Sequence, residues 1–254
     1  MLITLCILFF VFCLVLAAGN YFLSLFFKFN IDNLIEEIAL SAGIGLGFLI
    51  YVMAFFGFFN LYNDYTFSLI LCLLFIFGWN KKIYIYSIFD IRKQSNVLTK
   101  YYFLIFLISF HLIIYLMVAL TPTLEGDSIA SYLVIPKEFI NFGGIHSVDY
   151  AYSNGQPANG QMLSAFGLLI NNQILAQLLV VYIPSIIFCL VLYAISMKWF
   201  NRETALWSVL IWLGIYSVGY IAASAKIDLV WAMFDILSIH TFFKWFFIKN
   251  NSNK

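Results

Sequence analysis

Runs of apolar residues as long as a bilayer is thick decide what this chain can become. Residues 2–19 read LITLCILFFVFCLVLAAG without a single charge. An α-helix needs about 20 such residues to cross the hydrocarbon core. Spans are expected at roughly 2–22, 36–59, 65–79, 101–121, 174–197, 204–223 and 227–248. The expected fold class is all-α: a polytopic membrane helix bundle of about seven transmembrane helices, with amphipathic helices in a long extracytoplasmic loop. Residues 1–254 form one transmembrane domain, with N-terminal spans in 1–100 and a core in 101–248. The first run is too long for the apolar part of a signal peptide and lacks a basic flank before it, so it reads as a retained helix.

Composition agrees. The chain is 64% hydrophobic and 10% charged, against about 25% charged for a soluble domain. A net charge of +1 leaves no basic field for nucleic acid. Cys6, Cys13, Cys72 and Cys189 all lie inside apolar stretches without metal-ligand spacing, as packing residues do.

Cation placement sets the expected sidedness. With the N-terminus outside, Lys28, Lys81, Lys82, Arg92, Lys93, Lys100, Lys198, Arg202, Lys244, Lys249 and Lys254 lie at cytoplasmic ends. Only Lys137 and Lys226 lie outside. An odd number of spans then puts the C-terminus in the cytoplasm and makes 123–173 an outer loop. In that loop IASYLVIPKEFINF has helical apolar spacing broken by Pro136, and reads as an amphipathic helix on the membrane surface. QMLSAFGLLI reads as a second helix, interfacial or half-buried.

The same sidedness carries Glu125, Asp127 and Asp228 to one interface. Acids at helix ends are ordinarily solvated, and Asp228 suits a helix N-terminus. Gathered on one side, they also suit a cation site or a general base. Asp235 lies seven residues beyond Asp228, about 10 Å deeper on the same helical face. His111 and His240 fall within spans, and each of these three either meets another or pairs with a neighbouring Ser, Tyr or backbone group. Trp199, Trp207, Trp231 and Trp245 read as interface anchors, and Gly43, Gly45 and Gly47 as small residues for close helix packing.

The loop opens with DSIASYLVIPK from Asp127 to Lys137. The runs PANGQML from Pro157, KWFNRETA from Lys198 and AKIDLVWAMF from Ala225 follow in order. This series resembles bacterial GT-C-type membrane glycosyltransferases, relatives of the protein mannosyltransferases, over roughly residues 101–248. The resemblance implies transfer of a sugar from a polyprenyl-phosphate carrier to a glycan, lipid or protein acceptor on the outer face of a bacterial inner membrane. It implies Asp127 as the acid that deprotonates the acceptor hydroxyl, or that helps hold a divalent ion such as Mg or Mn. Asp228 is implied as the second acid completing that site, with Glu125 auxiliary. Lys137 and Lys226, the two outer lysines, are then available to offset the carrier phosphate. The chain departs from the family pattern at Ser131, Tyr132, Gln161 and Asp235, and family members are longer, so the resemblance implies either such an enzyme or its N-terminal module. Two other readings stay open: a non-catalytic membrane scaffold of the same fold, and a transporter, which calls for internal repeats and broken helices.

Overall fold

The computed structural model describes residues 1–26, 33–79, 100–151 and 158–252. Lys28, Lys81, Lys82, Arg92, Lys93, Lys254 and Pro157 lie outside the described residues. The described residues are helical, without strands. They form α1 (Leu2–Phe26), α2 (Leu34–Phe58), α3 (Thr66–Trp79), α4 (Tyr102–Ala119), α5 (Val134–Phe142) and α6 (Gln161–Leu168). These are followed by α7 (Gln173–Gln177), α8 (Ile183–Trp199), α9 (Arg202–Leu213), α10 (Tyr216–Ala222) and α11 (Asp228–Ser252).

Five helices are long and apolar enough to cross a membrane, or six if α9 and α10 are counted as one bent span. The remaining expected span, 65–79, is α3. Its 14 residues rise only about 21 Å, short of the ~30 Å hydrocarbon core. α7 and α8 form one 27-residue helix, Gln173–Trp199. A π-helical turn at Leu178–Tyr182 joins them just before Pro184. Proline supplies no N–H and crowds the carbonyl four residues back, and a π turn relieves both.

The expected span 204–223 is broken. α9 and α10 meet at 64° across Gly214 and Ile215. Helix breaks survive at membrane depth only where neighbours satisfy the freed backbone. Here the buried Tyr115 of α4 donates its hydroxyl to the Leu213 carbonyl at 2.5 Å. The bend carries the chain from α10 into the Ser224–Ile227 turn, which positions Lys226.

α1 and α2 pack antiparallel through small residues. A Cβ on Gly45 would lie 2.0 Å from the Val15 carbonyl oxygen, and one on Gly19 would lie 1.8 Å from the Ser41 oxygen. Both obstacles are backbone, so neither helix can yield without moving apart. The expected packing role of Gly43 and Gly45 is realised against Leu237 and Val15. Gly47 differs, because its added Cβ would meet Phe234 in ordinary contact at 3.6 Å. Gly45→Ala is therefore expected to destabilise the protein by about 1–3 kcal/mol through overpacking. Gly47→Ala is expected to be neutral or to gain up to about 1 kcal/mol in helix propensity. Thermal unfolding of the two variants in one detergent checks the contrast.

The loop after α4 folds back onto the bundle. Pro136 falls in the first turn of α5, where a missing N–H costs nothing, so the helix runs through it to the Gly143 cap at φ +89°. α6 lies deeper than the expected half-buried helix: every residue from Gln161 to Gly167 is buried. Phe166 stacks on Phe67 of α3 with ring centroids 4.8 Å apart, and Gly167 lets the α7 backbone approach closely. Asn172 donates to the Thr4 hydroxyl at 3.2 Å, which puts the start of α1 at the same end of the bundle as this loop.

Candidate functional site

The loop after α4 and the turn before α11, about 100 residues apart, are stitched together at one end of the bundle. Glu125 begins the stitching. Its Oε2 accepts from the Ser128 amide at 2.7 Å and the Ser128 hydroxyl at 2.6 Å, which caps the helical turn that opens there. Ser128 is fully buried, and its Oγ accepts from the Ala225 amide at 3.0 Å. Lys226 completes the junction. Its Nζ lies 2.8 Å from Asp127 Oδ2 and 3.1 Å from Glu125 Oε1, and 5.8 Å from the centre of the Tyr220 ring. The Ser224 hydroxyl accepts from the Lys226 amide at 3.2 Å and donates to the Ile221 carbonyl, which holds the turn.

Exposure separates the two carboxylates. The Glu125 side chain is 16% exposed and committed to the cap, whereas that of Asp127 is 52% exposed. Asp127 is thus the group open to a reactant, tethered only by a flexible lysine. Asp228 sits two residues beyond Lys226 at the start of α11, exposed and without a hydrogen bond or ion pair to the described residues. Lys137 lies apart on the exposed face of α5 and makes no ion pair among the described residues. Of the expected residues, Glu125, Asp127 and Lys226 come into contact, Asp228 adjoins them in sequence, and Lys137 does not join.

Electrostatics locks this arrangement. Burial works to raise the Glu125 carboxyl. Hydrogen bonds from the Ser128 hydroxyl and amide, from Lys226 and from the Asp127 amide outweigh it and hold the group below its ordinary value. The hydrogen bond to Asp127, opposed by desolvation and joined by Glu125, holds the Lys226 ammonium well above its ordinary range. A carboxyl depressed by folding contributes stability above its unfolded value of 4.5, and that stability is lost as pH falls through the lower folded value. A lysine raised by folding contributes stability below 10.5, lost as pH rises through its higher folded value. The junction is expected to hold between about pH 4.5 and pH 10.5 and to loosen below it. Hydrogen-exchange protection of the Ala225 amide should fall in acid in the wild type, and Glu125→Gln should remove that dependence.

A divalent ion meets an obstacle here. The Lys226 ammonium occupies the space between Glu125 and Asp127, and no three His, Cys, Asp or Glu among the described residues gather to hold a metal. The donor set does not fit a resident ion as it stands.

The opposite end of the bundle holds a polar cluster that joins α2 to α11. Asn33 caps α2 by accepting from the Glu36 amide at 2.9 Å. The Glu36 carboxylate turns inward. Its Oε1 lies 2.7 Å from His240 Nε2 and 2.5 Å from Lys244 Nζ, all three side chains being buried. Beside it Asn20 donates to Glu37 at 2.8 Å. His111 bonds the Leu107 carbonyl of its own helix at 2.8 Å. His111, Asp235 and His240 therefore have separate surroundings. Trp199, Trp207, Trp231 and Trp245 are exposed as anchors would be, while Trp212 stacks on Phe188 at 4.2 Å.

No family model matches the sequence, and neither a curated protein nor a solved structure matches it significantly.

Proposed function

We propose that the chain is a membrane glycosyltransferase, or the N-terminal part of one, that moves a sugar from a polyprenyl-phosphate carrier to a glycan, lipid or protein acceptor. The observation that supports this most is the shared grip of Lys226 on Glu125 and Asp127 at the end of the bundle. A lipid-borne donor and a water-borne acceptor meet only at a membrane boundary, and in this reading the end of the bundle where an open carboxylate meets an ammonium lies at that boundary. Asp127 takes the proton of the acceptor hydroxyl as its oxygen bonds the anomeric carbon. The bond from that carbon to the carrier oxygen breaks, and its electron pair leaves on the phosphate. Lys226 transfers from Asp127 to the phosphate, which frees the base and neutralises the leaving group in one movement. Asp228 lies close by in sequence to orient the acceptor.

In this reading the loop end faces away from the cytoplasm of a bacterial inner membrane, the N-terminus is outside, and the C-terminus is inside. α3 is counted among the seven spans, accommodated by local thinning. The scaffold reading draws on one observation: Glu125 and Ser128 are already consumed in stitching the loop to Ala225. The bent α9–α10 pair is the feature a transporter shares.

The test is transfer of a labelled sugar from a polyprenyl-phosphate donor by the purified chain in vesicles, with and without chelator. Transfer that survives chelation is expected. Absence of transfer to glycan, lipid and peptide acceptors alike would overturn the enzyme in favour of the scaffold.

A further inference from the structure

The antiparallel packing of α2 and α11 leaves a groove of about 420 Å³ between them, within the usual size of ligand sites. Gly47, lacking a side chain, keeps it open. Tyr51, Trp231 and Phe234 form its aromatic walls, and Asn159 of the loop and Asp235 line it as well. Tyr51 and Trp231 stand exposed at the rim. Asp235 is exposed on α11 and makes no hydrogen bond or ion pair with any described residue. It lies about 10 Å along α11 from Asp228, within the span. A carboxylate within a span is unfavourable until a cation or donor meets it.

The occupant must supply what the walls lack. Among the described residues that line the groove none is basic, so a phosphate or carboxylate would find no cation there and would face the charge of Asp235. An apolar chain alone would leave the carboxylate uncompensated. A protonated amine on an apolar body satisfies both surfaces, because the carboxylate pairs with the ammonium and aromatic faces attract cations as well as alkyl chains. We infer that the α2–α11 groove binds a single-chain lipophilic amine, its ammonium on Asp235 and its chain between Tyr51, Trp231 and Phe234. A phospholipid amine is the wrong source, since its own phosphate would accompany it. The site is separate from the Glu125–Asp127–Lys226 junction and stands whether or not the chain transfers sugar.

Native mass spectrometry of the purified chain in a maltoside detergent at neutral pH tests this, with dodecylamine, dodecanol and dodecyl phosphate as probes. One dodecylamine per chain is expected, bound at least tenfold more tightly than either of the others. Asp235→Asn, which keeps the shape and removes the charge, should weaken amine binding at least tenfold. Gly47→Leu, which fills the groove and leaves Asp235 in place, should do the same. Asp127→Asn should bind as the wild type does. Equal binding by the wild type and Asp235→Asn, dodecanol binding as tightly as the amine, or displacement of the amine by phosphatidylethanolamine would each overturn the assignment.

Discussion

Asp127→Asn is expected to lower sugar transfer by about 10²–10⁴-fold, the usual contribution of a positioned general base, while the protein stays folded in the membrane. The argument turns on what the substitution leaves behind. Glu125 still caps the turn at Ser128, the Ser128 hydroxyl still accepts from Ala225, and Lys226 keeps its 3.1 Å contact with Glu125. The lost Lys226–Asp127 pair is half open to solvent, and such pairs contribute about 0–1 kcal/mol. A merely structural role for Asp127 thus predicts a small change in melting temperature and a proportionate change in rate. A catalytic role predicts lost turnover at unchanged stability. Rates from the vesicle assay and melting curves on the same preparation separate the two. Transfer at the wild-type rate by Asp127→Asn would remove this residue from the chemistry.

What could be read from residues alone, and what could not, follows physical lines. Five of the seven expected spans were legible because bilayer thickness imposes a length that apolar runs either meet or miss. The meeting of the first loop with the start of α11 was legible because cations placed on many separate loops all imply one sidedness. Partners supplied from a distance were not legible. Ser128 carries no charge, and nothing near it announces that the Ala225 amide, 97 residues on, will donate to it. A lone Gly214 is tolerated inside many helices. The break there depends on Tyr115, whose hydroxyl reaches Leu213 across the bundle. Lys226 was visible as an outer cation, but its pairing with Glu125 and Asp127 rests on the turn that the α9–α10 bend delivers. Asn33 and Glu36 have the spacing of a helix cap, in which the glutamate turns back to its own helix start. The neglected signal lay in α11: His240 and Lys244 are four apart, on one face of a spanning helix, and so need an anion opposite.

Glu36→Gln is expected to cost about 3–5 kcal/mol of stability, the largest effect of any single substitution considered. Glu36 is 2% exposed, and its Oε1 takes both His240 and Lys244 from the far helix. The amide keeps the shape and the cap, since the Asn33 bond uses the Glu36 backbone rather than its carboxylate. The substitution therefore isolates the charge. It removes the Glu36 charge from beside the ammonium of Lys244, which is 4% exposed inside the bundle. Breaking one side of a buried pair costs more than the pair contributes when whole, because the surviving charge stays desolvated after losing the carboxylate that offset it. It follows that Lys244→Met combined with Glu36→Gln should be more stable than Glu36→Gln alone, recovering much of the loss. Unfolding by denaturant in mixed micelles, for the wild type, both single variants and the double, gives the coupling energy directly. Additive losses would show that the cluster does not act as an ion pair. A large positive coupling would establish that the first and last thirds of the chain are held together, at the end opposite the site, by one buried carboxylate.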